Sequence, residues 1–328
     1  MFSRLDEHRD TMHKVYDEGV GRGYKQSLKV YHEPFSVVLG TTLYVYGPPH
    51  TGKTQWVFDL LIDMAILYGM KTILMSPETG KPATIYRKLA EMVAEKDYID
   101  TFNNQMTKTE RMTAEAFVYE HFVILDHEEK GTEEQVALRD WYNRVDQVEK
   151  ELGIEFQITL VDPIDELEID WRSQPSRDIV LQKELIWIRK NADKKMRYNI
   201  VVVHLRDQKK VAIKIDGQMQ LYYPAPDPQE LAHGQEWFRR GMAMIGIWRP
   251  PTYLDIEPGF PYEQNDSVIL YGKQKPEEVK EQGSYVKRVI VKWDAKRHRY
   301  YQKKLGINLY PKQIDGKANS VGKALDLP

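Results

Sequence analysis

Gly47, Gly52, Lys53 and Thr54 stand where an apolar run gives way to a helical pattern, with Pro48, Pro49, His50 and Thr51 between the glycines. The spacing fits G-x-x-x-x-G-K-[ST], and the strand-then-helix setting is the one in which that pattern binds polyphosphate. Glycine lets backbone come close to phosphate. Amides from His50 to Thr54 then point inward at a helix N-terminus of positive dipole character. The two prolines have no N–H to offer but stiffen the loop. In this reading Lys53 pairs with the β- and γ-phosphates of ATP and Thr54 holds Mg²⁺. The plainer alternative is a glycine turn with an exposed lysine.

Phosphate chemistry of this kind needs a carboxylate on the metal side, at the end of a neighbouring strand. Ile158-Thr-Leu-Val161 followed by Asp162 supplies one. An acid that ends an apolar strand is poorly solvated unless it meets a cation. Asp165 and Glu166 are the next acids along and read as capping or surface groups. Hydrolysis also needs a group that orients water. Glu78 lies just past the Thr72–Ser76 run, at the same edge of a parallel sheet as the phosphate loop. It is the general-base candidate, or else a carboxylate at the start of the following helix.

The elements that must hold these residues follow from β-branched runs that alternate with helical patterns from Phe35 onward. Strands are expected at Thr42–Tyr46, Thr72–Ser76, Phe122–Asp126, Ile158–Asp162, Ile200–His204, Ala243–Trp248, Ser267–Tyr271 and Lys287–Trp293. Helices are expected at Thr54–Tyr68, Ala83–Ala94, Thr109–Tyr119, Glu133–Leu152, Ile179–Met196 and Gln229–Arg240. The early strands are almost wholly apolar, which suits a sheet covered on both faces. The fold class is therefore α/β, with a doubly wound, mostly parallel sheet. The last strands lack intervening helices, so an antiparallel C-terminal extension follows.

Residues 1–23 read as an N-terminal helical arm. Phe2, Leu5, Met12, Val15 and Tyr16 fall at helical spacings, and Gly19, Gly21 and Gly23 end the pattern. The arm either packs on its own domain or binds a partner. Residues 24–309 form the main domain, and 310–328 read as a flexible tail. A net charge of -2 gives no global basic signature for nucleic acid. The absence of cysteine excludes disulfides and cysteine-ligated zinc. No apolar run approaches the ~20 residues of a membrane span. The start of the chain does not read as a signal peptide, so a cytoplasmic setting is expected.

With these residues in place, the chain resembles a RecA-fold ATPase, and more closely the hexameric replicative helicases of the DnaB type, phage primase-helicases included. The likeness runs over about residues 21–301. GPPHTGKT, the MSPE strand end and TLVDPIDEL occur in the family's order. VVVHLRDQKK is similar to the strand and DNA-binding loop of the phage enzymes, and YGKQK resembles the late strand that carries a Lys-x-Arg pair.

The resemblance implies roles residue by residue. Lys53 and Thr54 bind phosphate and Mg²⁺, Glu78 is the catalytic carboxylate, and Asp162 is the Walker B acid. His204 takes the place of a polar sensor, or is a hydrogen-bonded structural histidine. Lys273 and Lys275 match the pair that reaches a neighbouring subunit's nucleotide, with lysine at 275 in place of the family's arginine. Arg249 and Trp293 fall where the phage enzymes sandwich the base, although a core position explains Trp293 nearly as well. Arg206, Lys209, Lys210 and Lys214 match the loop that holds single-stranded DNA, and also fit a solvated hairpin. No primase domain is evident, and Pro163 after Asp162 departs from the usual pattern.

The implied activity is an ATP-driven DNA helicase or translocase on single-stranded DNA. It would act as a ring of identical subunits, six by the family's habit, with a separate primase or loader as a further partner. A recombinase filament of the same fold, or an ATP-responsive loader or scaffold without unwinding, are the alternatives.

Overall fold

The computed structural model describes residues 4–18, 23–125, 135–205, 208–215, 217–231, 234–257, 260–275 and 287–302. A short 3₁₀ turn leads into α1 (Arg9–Glu18). The main domain then runs β1 (Thr42–Gly47), α2 (Lys53–Tyr68), β2 (Thr72–Met75), α3 (Pro82–Ala94), α4 (Lys108–His121), β3 (Phe122–Ile124) and α5 (Leu138–Leu152). It continues with β4 (Ile158–Val161), α6 (Arg177–Lys195), β5 (Tyr198–His204), β6 (Val211–Ile215), β7 (Gln218–Tyr222), α7 (Gly234–Arg240) and β8 (Ala243–Trp248). The last strands are β9 (Asp255–Glu257), β10 (Phe260–Pro261), β11 (Asp266–Gln274), β12 (Arg288–Asp294) and β13 (Arg299–Gln302).

Nine strands form one sheet in the order β13-β12-β11-β8-β1-β5-β4-β2-β3. The six from β8 to β3 are parallel, and β11, β12 and β13 extend the sheet antiparallel. Alternation along each strand divides the core into two layers. Leu43 and Val45 of β1 pack with α2, α3 and α4, whereas Tyr44 and Tyr46 face α5, α6 and α7. A strand buried on both faces must be apolar at every position, and β1 is buried throughout. The expected fold class is the one found.

Helix α2 lies deepest. Its residues from Trp56 to Ala65 are all buried, and it stops where Gly69 takes a left-handed conformation (φ 64°) and donates to the Ala65 carbonyl. Each large apolar side chain so buried contributes about 1.5–3 kcal/mol. Two of the buried residues, Asp59 and Asp63, are acids.

Two expectations need correction. The pattern at Gln229–Arg240 is not one helix: a 3₁₀ turn at Pro228–Glu230 is capped by the Asp227 side chain, and α7 starts only at Gly234. Helix α5 starts at Leu138 rather than 133, because Ala137 is extended and Leu138 N–H donates to the Glu168 carbonyl. Strands β9, β10 and β13 were not foreseen. The expected tail at 310–328, Arg206 and Asp126 lie outside the described residues. Among those residues no helix is long and apolar enough to cross a membrane.

Candidate nucleotide-binding site

The loop between β1 and α2 is built by close approach. A Cβ at Gly47 (φ 157°) would stand 2.3 Å from the Ile247 carbonyl oxygen of β8, so only glycine fits. Thr51 Oγ1 donates to the Pro48 carbonyl at 2.9 Å and closes the turn. His50 (φ 60°) and Gly52 (φ 90°) are left-handed, which aims the chain into α2. No side chain caps the start of α2, so its first amides are available to an anion. Lys53 is only 7% exposed and donates to the carbonyls of Gly47 at 3.1 Å and Pro48 at 3.0 Å. Burial pushes its ammonium below the ordinary lysine range, while Asp162 and Glu78 pull it back up.

Asp162 follows β4, and its N–H donates to the Met75 carbonyl of β2. That bond sets the carboxylate between two hydroxyls. Oδ2 accepts from Thr54 Oγ1 at 2.8 Å and from Ser76 Oγ at 2.9 Å. The residue is 1% exposed. Burial raises its pKa, and the two hydroxyls work against that rise. The peptide between Asp162 and Pro163 is cis.

Glu78 lies in the 3₁₀ turn Pro77–Thr79 directly after β2. Its side chain is half exposed, and Oε2 stands 3.4 Å from His204 Nε2. His204 ends β5, and its Nδ1 lies 3.7 Å from Asp165 Oδ2. The imidazole thus stands between two carboxylates. All these groups sit at carboxyl ends of parallel strands, the usual ligand edge of such a sheet. Glu78, Asp162 and His204 line one cavity of about 950 Å³ with the Gly47–Thr54 loop, while Asp165 lies outside it. That volume is ample for a nucleotide.

The far wall of the cavity comes from the C-terminal strands. Arg249 follows β8, and its Nη2 donates to Gln55 Oε1 at 2.6 Å. Trp293 of β12 lines the cavity and also belongs to the core, its ring edge-on to Tyr300 with centroids 5.0 Å apart. A core position and a place in the cavity wall are thus compatible for Trp293. His298 lines the same wall and pairs with Asp97 at 2.8 Å.

Other expected residues lie apart from this cavity. Lys273 Nζ donates to the Phe238 carbonyl at 2.5 Å and the Arg239 carbonyl at 3.4 Å, at the C-terminal end of α7. A cation there is favoured by the helix dipole. Burial, and then the Lys275 charge, lower its pKa. Lys275 is exposed, and its backbone N–H donates to the Met242 carbonyl. Lys214 lies on β6 of the antiparallel hairpin β6–β7, as the alternation at Val211, Ile213 and Ile215 suggests, and Lys209 and Lys210 directly precede it. Lys209 and Lys214 are exposed, and Lys210 Nζ stands 5.1 Å from the Tyr223 ring centroid.

Sequence reasoning missed Ser76, Gln55, His298 and Lys88, all of them touching this cavity or Asp162. Ser76 could have been found, as a hydroxyl closing the strand next to the one that ends at Asp162. Lys88 of α3 has a lowered pKa from burial and from Arg87.

No protein-family model matches this chain. Nor does any curated protein sequence. Solved structures do. A DnaB-like replicative helicase, described together with its interactions with primase, shares 14% identity at a TM-score of 0.62, over 93% of this chain and 68% of the other. The ATPase domain of G40P shares 13% identity at a TM-score of 0.67, over 93% of this chain and all of that one (100%). The likeness expected from the sequence is thus present at the level of the fold, which this chain shares with those structures.

Proposed function

We propose that this chain is a Mg²⁺-ATP-driven replicative helicase or translocase that moves on single-stranded DNA as a ring of identical subunits. One observation carries the reading: Lys53, Thr54, Asp162, Glu78 and His204 meet in one cavity, at the ligand edge of a fold shared with DnaB-like helicase ATPase domains. Lys53 binds the β- and γ-phosphates, exchanging its two loop carbonyls for phosphate oxygens. The first amides of α2 bind the same phosphates.

The donor set fits magnesium. Thr54 and Asp162 present a hydroxyl and a carboxylate 2.8 Å apart, while among the described residues no cluster of three or more His, Cys, Asp or Glu could hold a metal alone. Mg²⁺ commonly takes one or two protein oxygens and fills its other positions with water and substrate phosphate. When bound, it neutralises charge on those phosphate oxygens.

Glu78 orients the attacking water and takes its proton. His204, in contact with Glu78, senses the state of the γ-phosphate and passes it to the β6–β7 hairpin. Lys209, Lys210 and Lys214 hold DNA phosphates with little regard for sequence. Arg249 and Trp293 flank the base. Lys273 and Lys275 of each subunit serve the neighbour's nucleotide, Lys273 leaving the end of α7 to do so. The arm at residues 1–23 packs on an adjacent subunit, a role supported by the exposure of Leu5, Met12 and Tyr16. A separate primase or loader is the further partner, and the setting is cytoplasmic.

The test is ATP turnover with and without single-stranded DNA, alongside unwinding of a forked duplex. Wild-type protein is expected to do both, and Lys53→Ala neither while remaining folded. Unwinding by the Lys53→Ala protein would overturn the site. Open filaments with strand exchange but no unwinding would move the reading to a recombinase.

A further inference from the structure

Asp59 and Asp63 stand one turn apart on α2, 1% and 0% exposed. The single guanidinium of Arg299, the first residue of edge strand β13, bridges them. Nε donates to Asp59 Oδ1 at 2.5 Å and Nη2 to Asp63 Oδ1 at 2.5 Å. Asp63 Oδ2 accepts both the N–H and the hydroxyl of Ser27 at 2.8 Å. Asp59 Oδ2 and Arg299 Nη1 have no hydrogen-bond partner among the described residues. Two carboxylates against one guanidinium leave an excess negative charge in the core. Apolar side chains of similar volume would hold the strand at lower cost, so general stability does not explain the cluster.

Its position does suggest an explanation. Of the residues flanking Arg299, one lines the cavity and the other is buried against its phosphate loop. His298 lines the cavity, and the Tyr300 hydroxyl lies 3.1 Å from where a Cβ on Gly52 would stand. Trp293, edge-on to Tyr300, completes that wall. Among the described residues β13 is a four-residue strand paired only with β12, the kind of edge that opens first in a native protein. The phosphate side of the cavity is held by β1, β8, Asp162 and the first turn of α2, whereas Arg299 meets α2 farther along, at Asp59 and Asp63.

We propose that Arg299 is a positioning residue for the base side of the site: it rivets the β12–β13 turn to α2, and only while it bridges Asp59 and Asp63 does the cavity favour a base-bearing nucleotide over bare polyphosphate. The proposal rests on the nucleotide reading above.

The experiment is calorimetric titration of the full chain with Mg-ATP and, separately, with inorganic tripolyphosphate and Mg²⁺. Wild-type protein binds ATP the more tightly. Arg299→Ala loses about tenfold in ATP affinity and changes less than about twofold toward tripolyphosphate, as expected when contacts on one side of a ligand are loosened. Arg299→Lys, which keeps the charge but cannot fork to both acids, falls between them. If Arg299→Ala does not fold, Arg299→Lys and Asp63→Asn are read in the same way. Equal weakening toward both ligands, or an unchanged ratio in folded variants, overturns the proposal and leaves the nucleotide site standing. Wild-type protein that binds neither ligand overturns both.

Discussion

Thr54 and Asp162 lie 108 residues apart in the chain and share a 2.8 Å hydrogen bond. The bond joins the start of α2 to the end of β4, across β5, which lies between β1 and β4 in the sheet. Ser76 completes the arrangement from β2. Three elements thus converge on one carboxylate oxygen, and that oxygen is buried.

A buried carboxylate whose pKa is raised by desolvation weakens the fold once it ionises. Asp162→Asn removes that cost and keeps an oxygen for the two hydroxyls. In chelator, the variant is expected to melt at the same temperature as wild type or slightly higher, by roughly 1–2 °C for each kcal/mol at this chain length. Mg-ATP should then raise the melting temperature of wild type and not of the variant. ATP turnover should fall by about 10²-fold or more. A variant that melts well below wild type in chelator contradicts the electrostatic account.

Glu78→Gln separates binding from chemistry. Glu78 is half exposed, and its carboxylate faces His204 at 3.4 Å. Nucleotide affinity should stay within about threefold of wild type, while single-turnover hydrolysis slows by about 10²–10⁴-fold, the range for loss of a general base. Retained turnover would pass the role to another group.

Stability should follow Asp59 with pH. Burial raises its carboxyl to about 6, with Arg299 opposing the rise and Asp63 adding to it. An unfolded aspartate titrates near 4. Between about pH 4 and 6 the folded chain therefore holds a proton that the unfolded chain has released. The contribution of this group to stability is full below that window and is lost as pH rises through it. Urea unfolding of wild type and Asp59→Asn across the window checks this: wild type should lose ground to the variant as pH increases, and parallel curves would refute it.

The hairpin lysines are expected to act through charge. Replacing Lys209, Lys210 and Lys214 together by alanine should weaken single-stranded DNA binding for every sequence tested. The slope of log affinity against log salt should fall by about 2, at ~0.7 per lost phosphate contact. An unchanged slope would show that DNA lies elsewhere.

The fold was legible because its signals are local. The apolar runs at Ile158–Val161 and Ile200–Val203 allow few structures other than buried strands, and the glycine spacing from Gly47 to Gly52 can be read as a phosphate-loop pattern without reference to the rest of the chain. Asp162 was legible for the same reason, as an acid at the end of an apolar run. What anchors the far wall was not. Arg299 and Asp59 are 240 residues apart, and nothing near either residue announces the other. Asp59 and Asp63 interrupt an apolar helix, a sign that a cation must meet them, but not of which one. Lys273 shows a different limit: its place in a motif was readable, whereas its contact with the end of α7 depends on how β11 lies against α7.

Gly47 and Gly246 record how tightly β1 is seated against β8. A methyl group at 47 would strike the Ile247 carbonyl, and one at 246 would press on the Tyr46 ring at 3.0 Å. The two strands are keyed together at the mouth of the cavity, each filling the notch left by the other's missing side chain. Neither can slide by a residue to make room for a larger ligand. Any widening of substrate range, by drift or by laboratory selection, has to come from the hinge-like outer strands and cannot come from this seam.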